Sequence, residues 1–518
     1  MSRTVNNLKF KIKNSKLKFK SWWEKRPFLL SDDKLECLIL LLILGFSAFF
    51  RLYKLDQLLG FWYDQGRDAL VIWDLIHYGK FFLIGPVTGI DGIFLGPFYY
   101  YLIAPFYWIG KGNPVTAASF LSWLTVGAIF LIYLLGKQIY NRKVGLMAAF
   151  LYGFSYQQVI FSRWLANPNP LPFFTMIALV LLYKFIVTRN SLFIIPYSFA
   201  IGLCLQLEAA SAVFFLPSTL VVLFWQRKHL KGKWLFFSFL AFFMTLVPQI
   251  YFDFRHEGIL RNAFKKFLLE EKSFRLSFLQ TVHLRLLTYY DVFLGKLVNS
   301  GGEGKAFVLA LFSATLFFFG KKLFNQGGKL LAIWLFVPLL GYFFYQGNHG
   351  YVWDYYFTGI VPAFFILFSA GTYYLFEKNL IGKVLVSFFM ILFLLSNLKL
   401  TGNYLKTGIG ITLGAQKKAI DWIYQKAQDR PFNADFYVPP QIYYSYSYLM
   451  KWYGKQKYGR EPETKQVGEL YTLYEPDGEH PQFLKAWLER QDTLGKIQEE
   501  YSWGDITVQK RKRIKYEE

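Results

Sequence analysis

The chain is 518 residues long, 54% hydrophobic and 21% aromatic, with a mean hydropathy of +0.26. That is too apolar for one soluble domain, and because the apolar residues fall in long runs the chain reads as a polytopic helical membrane protein. Its net charge of +24 does not point to nucleic acid: from Ala415 onward 17 basic residues meet 16 acidic ones, so the excess sits in the membrane-embedded part.

Ten Lys and Arg fall within residues 1–34. They read as a cytoplasmic tail that holds anionic headgroups, too long for a signal peptide and followed by no small-residue cleavage site. Apolar runs follow at Leu38–Phe50, Phe120–Leu135, Val144–Phe161, Phe173–Leu182, Val213–Trp225, Trp234–Val247, Ala306–Phe319, Leu330–Phe344, Val361–Phe376 and Val384–Leu395. Basic clusters recur at Lys137–Lys143, Lys184–Arg189, Arg227–Lys233, Lys321–Lys329 and Lys378–Lys383. All five can be cytoplasmic only if Gly96–Ile109 does not cross. That aromatic stretch is 14 residues long and flanked by Gly and Pro, so it reads as an interfacial helix on the outer leaflet. About eleven spans result over residues 35–400, and the chain ends outside a cytoplasmic membrane. Cys37 and Cys204 lie in or beside apolar runs, which excludes a disulfide framework or zinc ribbon.

The expected outer face is large: Tyr53–Ala118, Ser162–Pro170, Tyr251–Lys305, Gly347–Tyr356 and a tail of about 100 residues. Transporters keep such loops short and gather polar groups at mid-bilayer, so the pattern favours an enzyme working at the outer interface. The tail, residues 401–518, reads as a small extracytoplasmic α/β domain. Helices are expected over Ala415–Gln428, Tyr443–Tyr453 and Gln482–Lys496, with strands at Phe432–Val438, Glu469–Leu473 and Asp505–Gln509. The closing basic run Lys510–Lys515 reads as a solvated end.

The densest polar motif follows the first span: Tyr63-Asp64-Gln65-Gly66-Arg67-Asp68-Ala69. On a helix Asp64 and Asp68 share a face, and acids near a bilayer need a reason to be there; an ordinary wet loop is the plain alternative. No P-loop, Asp-x-Asp, His-Glu-x-x-His or Gly-x-Ser-x-Gly occurs. An outward site has no ready nucleotide supply, whereas a membrane-borne donor activated through a phosphate would answer that constraint.

These landmarks resemble the GT-C superfamily of polyprenyl-phosphate-sugar-dependent glycosyltransferases. Within it they are similar to bacterial relatives of protein O-mannosyltransferases, to aminoarabinose transferases and to the Rgt lipopolysaccharide transferases. The resemblance runs from about Phe50 to Leu398. It rests on the Tyr63–Ala69 motif, Leu83-Ile84-Gly85-Pro86, Gly96-Pro97-Phe98-Tyr99-Tyr100, Ser162-Arg163-Trp164 with Asn167-Pro168-Asn169, and Pro248 with Phe252-Asp253-Phe254-Arg255-His256. It implies an all-α GT-C fold with juxtamembrane helices in the first outer loop. The implied activity is an inverting transfer from a polyprenyl-phosphate donor to an acceptor hydroxyl on a lipid, glycan or protein, with no cofactor expected; a divalent cation stays open, though the sequence indicates no metal site.

Asp64 aligns with the catalytic base, with Asp68 beside it. Arg67 either pairs with a carboxylate or touches the donor phosphate. Asn167 and Asn169 stand where some relatives carry a second acid, though capping the next helix is the stronger reading. Arg163 is an interfacial anchor or a phosphate ligand. Arg255 and His256 have the best claim to the leaving phosphate, helped by Arg285 or Tyr345 because Gly96 replaces a Lys of some relatives. Glu208 replaces a His common in relatives and sets acceptor preference or caps a turn. His349 and Asp354, with Tyr351, Trp353, Tyr355 and Tyr356, form an outer cluster that stacks a sugar or, more simply, sits in the headgroup belt. Two other classes stay open: an O-antigen-type polymerase or ligase, and a lipid-linked-sugar flippase.

Overall fold

The computed structural model describes residues 33–269, 276–299, 301–345, 350–439 and 442–514. The basic tail 1–32, His349 and Lys515 lie outside them. Helices α1 (Lys34–Leu52), α2 (Tyr63–Tyr78), α3 (Phe98–Ile109) and α4 (Pro114–Ile139) open the chain. Then come α5 (Arg142–Phe154), α6 (Tyr156–Ser162), α7 (Leu171–Thr188), α8 (Ile194–Leu207), α9 (Phe215–Trp225), α10 (Gly232–Arg255), α11 (Ile259–Leu269) and α12 (Phe278–Gly295). The bundle closes with α13 (Gly302–Leu323), α14 (Gln326–Gly341), α15 (Val361–Phe376) and α16 (Leu380–Thr407).

Among the described residues seven helices are long and apolar enough to cross a membrane, and α5 with α6 makes an eighth if that bent pair is one span. Eleven is therefore not reached on length. The three shorter apolar segments, Ser191–Leu207, Ala209–Trp225 and Val361–Phe376, account for the difference. At 1.5 Å per residue each falls short of a hydrocarbon core about 30 Å thick. The 65° bend between α5 and α6 has a local cause. Ser155 is extended and donates its hydroxyl to Lys296 O at 2.6 Å, while Asn397 Oδ1 receives the Tyr156 N–H at 2.8 Å. α15 is buried on every side from Val361 to Thr372, which is why it is apolar all round.

The basic clusters meet at one end of the bundle. Arg142 pairs with Asp33 at 2.6 Å and Lys143 with Glu377 at 3.1 Å. Tyr140 donates to Leu323 O, Tyr183 to Gln138 O and Ser191 to His229 O. Loops far apart in sequence but alike in charge thus share one face of the molecule. The aromatic stretch forms α3, twelve residues with Pro105 inside, too short to span.

The last part is an α/β unit: α17 (Leu413–Ala427), β1 (Phe432–Tyr437), α18 (Tyr444–Leu449), β2 (Glu469–Tyr474), α19 (Pro481–Leu494), β3 (Gly495–Trp503) and β4 (Ile506–Arg513). The strand order is β1-β2-β4-β3, with β1 parallel to β2 and the other pairs antiparallel. The expected helix over Gln482–Lys496 ends at Leu494, and β3 was not expected at all. Seven of its nine residues are exposed, so it carries no apolar alternation to read.

This unit is clamped to the segment between α1 and α4. Leu413 N–H reaches Leu59 O at 2.7 Å, Gln416 Nε2 reaches Phe61 O at 2.9 Å, and Trp62 Nε1 reaches Ile411 O at 2.7 Å. Trp452 Nε1 donates to Lys111 O, and Tyr448 donates to Gly112 O. Gly66 of α2 lies so close to α18 that a Cβ there would stand 2.2 Å from Ser445 N.

Candidate active site

The Tyr63–Ala69 motif forms the first two turns of α2. Gln65 Oε1 turns back to accept the Trp62 N–H at 3.0 Å, and an acid in the first turn suits the positive helix end. Asp64 is 57% exposed and its Oδ1 lies 2.9 Å from Arg67 Nη1. Asp68, one turn on, is buried. Its Oδ1 accepts from Arg67 Nε at 3.0 Å, Arg67 Nη2 at 2.8 Å and Tyr100 OH at 2.9 Å. Burial pushes the Asp68 carboxyl up to about 6, against the pull of Arg67 and Tyr100. Arg67 therefore holds both carboxylates at once, and its guanidinium is held well above the usual range by them.

This face opens onto a cavity of about 870 Å³. Its second wall is the hairpin-like loop between Gly85-Pro86 and Gly96-Pro97. Gly85 N–H bonds Leu95 O at 2.7 Å, and a Cβ on Gly85 would stand 2.1 Å from Gly96 O. Gly96 itself is pressed against Gln206, whose Oε1 receives the Phe98 N–H at 3.0 Å. The side chain that some relatives carry there has no room here.

The far wall is apolar: Leu205, Val213, Leu216, Phe242, Leu246, Ile250, Phe264 and Phe267, from α8 to α11. Polar groups break it at Gln249, Asp253 and Arg261. Positions 242, 246, 249, 250 and 253 share one stripe of α10, and Arg255 falls about 200° away from Asp253. Arg255 and His256 are accordingly exposed and do not line the cavity; His256 stacks on Phe252 at 4.1 Å. Asp253 Oδ1 instead accepts the Arg261 N–H at 3.1 Å, starting α11 and setting Arg261 at the cavity. The sequence reading missed Arg261, which lies in a basic amphipathic helix with no motif of its own.

Other expected residues divide. Asn167, Glu208 and Tyr345 line the cavity. Asn167 Nδ2 donates to Leu207 O at 2.6 Å. Glu208 is buried with only the Ala210 N–H (3.3 Å) on its carboxylate, and burial pushes it up to about 8. Asn169 does not cap α7, where Pro170 holds the N-cap; its Nδ2 bonds the carbonyls of Phe161, Ser162 and Trp164 and ties the loop to the end of α6. Arg163 is buried, its Nη1 on the carbonyls of Phe50, Arg51 and Tyr53 and its Nε on Tyr404 OH, all at 3.0 Å. It pins the end of α1 to α6 and faces away from the cavity. Arg285 is likewise spent on Tyr342 O and Gly350 O. Asp354 pairs with Lys296 at 2.7 Å, while Tyr355 and Tyr356 line the cavity.

The model of the dolichyl-phosphate-mannose-protein mannosyltransferase family matches residues 95–252. No protein of curated function matches the sequence significantly. Among solved structures, ArnT from Cupriavidus metallidurans bound to undecaprenyl phosphate superposes with a TM-score of 0.57 at 11% identity, over 92% of this chain and 97% of that one. Its apo form gives 0.56 at the same identity and coverage. An oligosaccharyltransferase from Archaeoglobus fulgidus gives 0.49 at 14% identity, over 84% of this chain and 68% of that one. At these identities the likeness to ArnT is one of fold.

Proposed function

We infer that this chain, a member of the GT-C superfamily related to the protein mannosyltransferase and ArnT families, transfers a sugar from a polyprenyl-phosphate donor to an acceptor hydroxyl. The observation that carries the reading is one cavity that joins two unlike faces, a carboxylate pair on one and a lipid-compatible apolar surface on the other. The polyprenyl chain lies along Leu216, Phe242, Leu246, Ile250, Phe264 and Phe267, and the phosphate meets Arg261. Arg255 and His256 give up that role because their helix face turns them outward. Asp64, the accessible acid, takes the acceptor proton as the hydroxyl oxygen bonds to the anomeric carbon. The bond from that carbon to the phosphate oxygen breaks, its electrons leave with polyprenyl phosphate, and attack from the opposite side inverts the centre. Arg67 and Asp68 fix Asp64, while Asn167, Glu208 and Tyr345 border the sugar.

The polar groups gather at the end of the bundle opposite the basic clusters. We therefore read that end as extracytoplasmic, with the N-terminus inside, the α/β unit outside, and eleven crossings once the three shorter apolar helices count. The purified chain, given defined polyprenyl-phosphate sugars, is expected to release polyprenyl phosphate and glycosylate an acceptor. Release from no such lipid would reject the reading in favour of a flippase.

A further inference from the structure

A second cavity of about 340 Å³ adjoins the first, and Trp164 and Tyr355, whose rings meet edge to face at 5.8 Å, line both. The chain also passes from one to the other: Trp62 lines the small cavity, Tyr63 and Asp64 the large one. Asp64 is thus two residues from the wall of the small cavity and near enough to Tyr355, which lines both, to act on it electrostatically. The cations of the small cavity are already engaged, Lys296 on Asp354 and Arg163 on three carbonyls and Tyr404. Arg163 Nη2 has no partner among the described residues but is sealed from solvent, so what the cavity itself offers a ligand is amide and ring. Gln158 is only 3% exposed, yet its side chain makes no hydrogen bond to any described residue and lines this cavity, with Gln157 beside it. The Gln158 amide is not among the polar atoms sealed from solvent, so it opens on the cavity and its donor and acceptor suit a ligand that supplies both.

We propose that this second cavity is the acceptor subsite and that its ligand is a neutral glycan. Hydroxyls would pair with the Gln158 and Gln157 amides and the outer oxygen of Asp354, and a pyranose face would rest on Trp62 or Trp164. A phosphorylated acceptor fits less well, because Lys296 is neutralised by Asp354 and the unpaired Nη2 of Arg163 is sealed from the cavity. The proposal rests on the transferase reading for its purpose but not for its test.

The test is saturation-transfer NMR on the full detergent-solubilised chain. The probes are neutral trisaccharides of gluco, galacto, manno and rhamno configuration, with inorganic phosphate and a Ser/Thr-rich peptide as the other arms. At least one trisaccharide is expected to bind. Gln158→Leu should weaken it on the order of three- to tenfold, the worth of one or two hydrogen bonds, without changing the affinity for polyprenyl phosphate. Gln157→Ala, at a half-buried position, should weaken it less and covers the case in which Gln158→Leu fails to fold. Binding of no trisaccharide, equal binding by both variants, or a Gln158-dependent response to phosphate or peptide instead would overturn the proposal. Glycan binding by a chain that releases no polyprenyl phosphate would keep the subsite and reject the transferase, so the two failures are distinct.

Discussion

The two walls of the large cavity are built on opposite plans. On the α2 side Gln65, Gly66, Asp68 and Ala69 are buried, Arg67 closes on two carboxylates, and the α/β unit backs the helix at Gly66. On the α10–α11 side the 24-residue α10 buries only Ser238 and Thr245, and its C-terminal end carries exposed Tyr251, Phe254 and Arg255. The contrast follows from what each wall must do. On the transferase reading, a proton acceptor is useful only within a fraction of an ångström of its place, whereas a long lipid enters sideways past α10, which packs along α8 and leaves its other sides open.

The largest expected effect breaks the first wall chemically. Asp64→Asn keeps shape and most hydrogen bonding but removes the base, so turnover should fall by about 10²–10⁴-fold with donor affinity little changed. Full activity of this variant on a true acceptor would end the base assignment. Next comes the mechanical version. Gly66→Ala places a Cβ 2.2 Å from the Ser445 backbone nitrogen, a contact no side-chain rotation relieves. A displacement of about 1 Å at the base should cost on the order of 10²-fold in kcat. Helix propensity alone predicts the reverse, a gain in stability of about 1 kcal/mol. Thermal melting beside kcat separates the two, and a more stable, fully active variant would show that the clamp does not position Asp64.

Much of this was legible beforehand, and unevenly so. The acidic motif, the helix at Phe98–Ile109 and three strands of the tail follow from charge spacing and apolar period, because each is set by nearby residues. β3 was hidden because its exposure removes the alternation that betrays a strand. Arg255 and His256 sit in the motif but do not line the cavity for a geometric reason: helical rotation turns them out, and the Asp253 cap brings Arg261 to the cavity eight residues later. Arg163 and Asn169 look like ligands in a string of letters and prove to be fasteners, since their partners are carbonyls from distant or looping chain that no spacing rule supplies.

The second wall is probed by an arginine pair. Arg261→Ala should raise the KM for donor about tenfold by removing a charge-assisted contact to phosphate, while Arg255→Ala should stay within about threefold. The opposite ranking would return the phosphate to Arg255.

The smallest effect sharpens the account of how the first wall is held. Asp68 has its folded value pushed up to about 6 from an ordinary 3.8, so the folded state keeps that proton longer than the unfolded chain does. The stability this group contributes is therefore full below about 3.8 and is lost as pH rises through about 6. Asp68→Asn cannot titrate, so its melting temperature should fall less between pH 4 and 7 than that of the wild type, by several degrees, the order expected for about 2 kcal/mol at roughly 1.4 kcal/mol per pKa unit. In activity the same variant should fall well short of the loss of about 10²-fold that marks a missing base. Arg67 would remain on Asp64 in either case, and any acid limb near pH 6 should disappear. If Asp68→Asn instead loses as much turnover as Asp64→Asn, the two carboxylates titrate as one unit and the base is the pair.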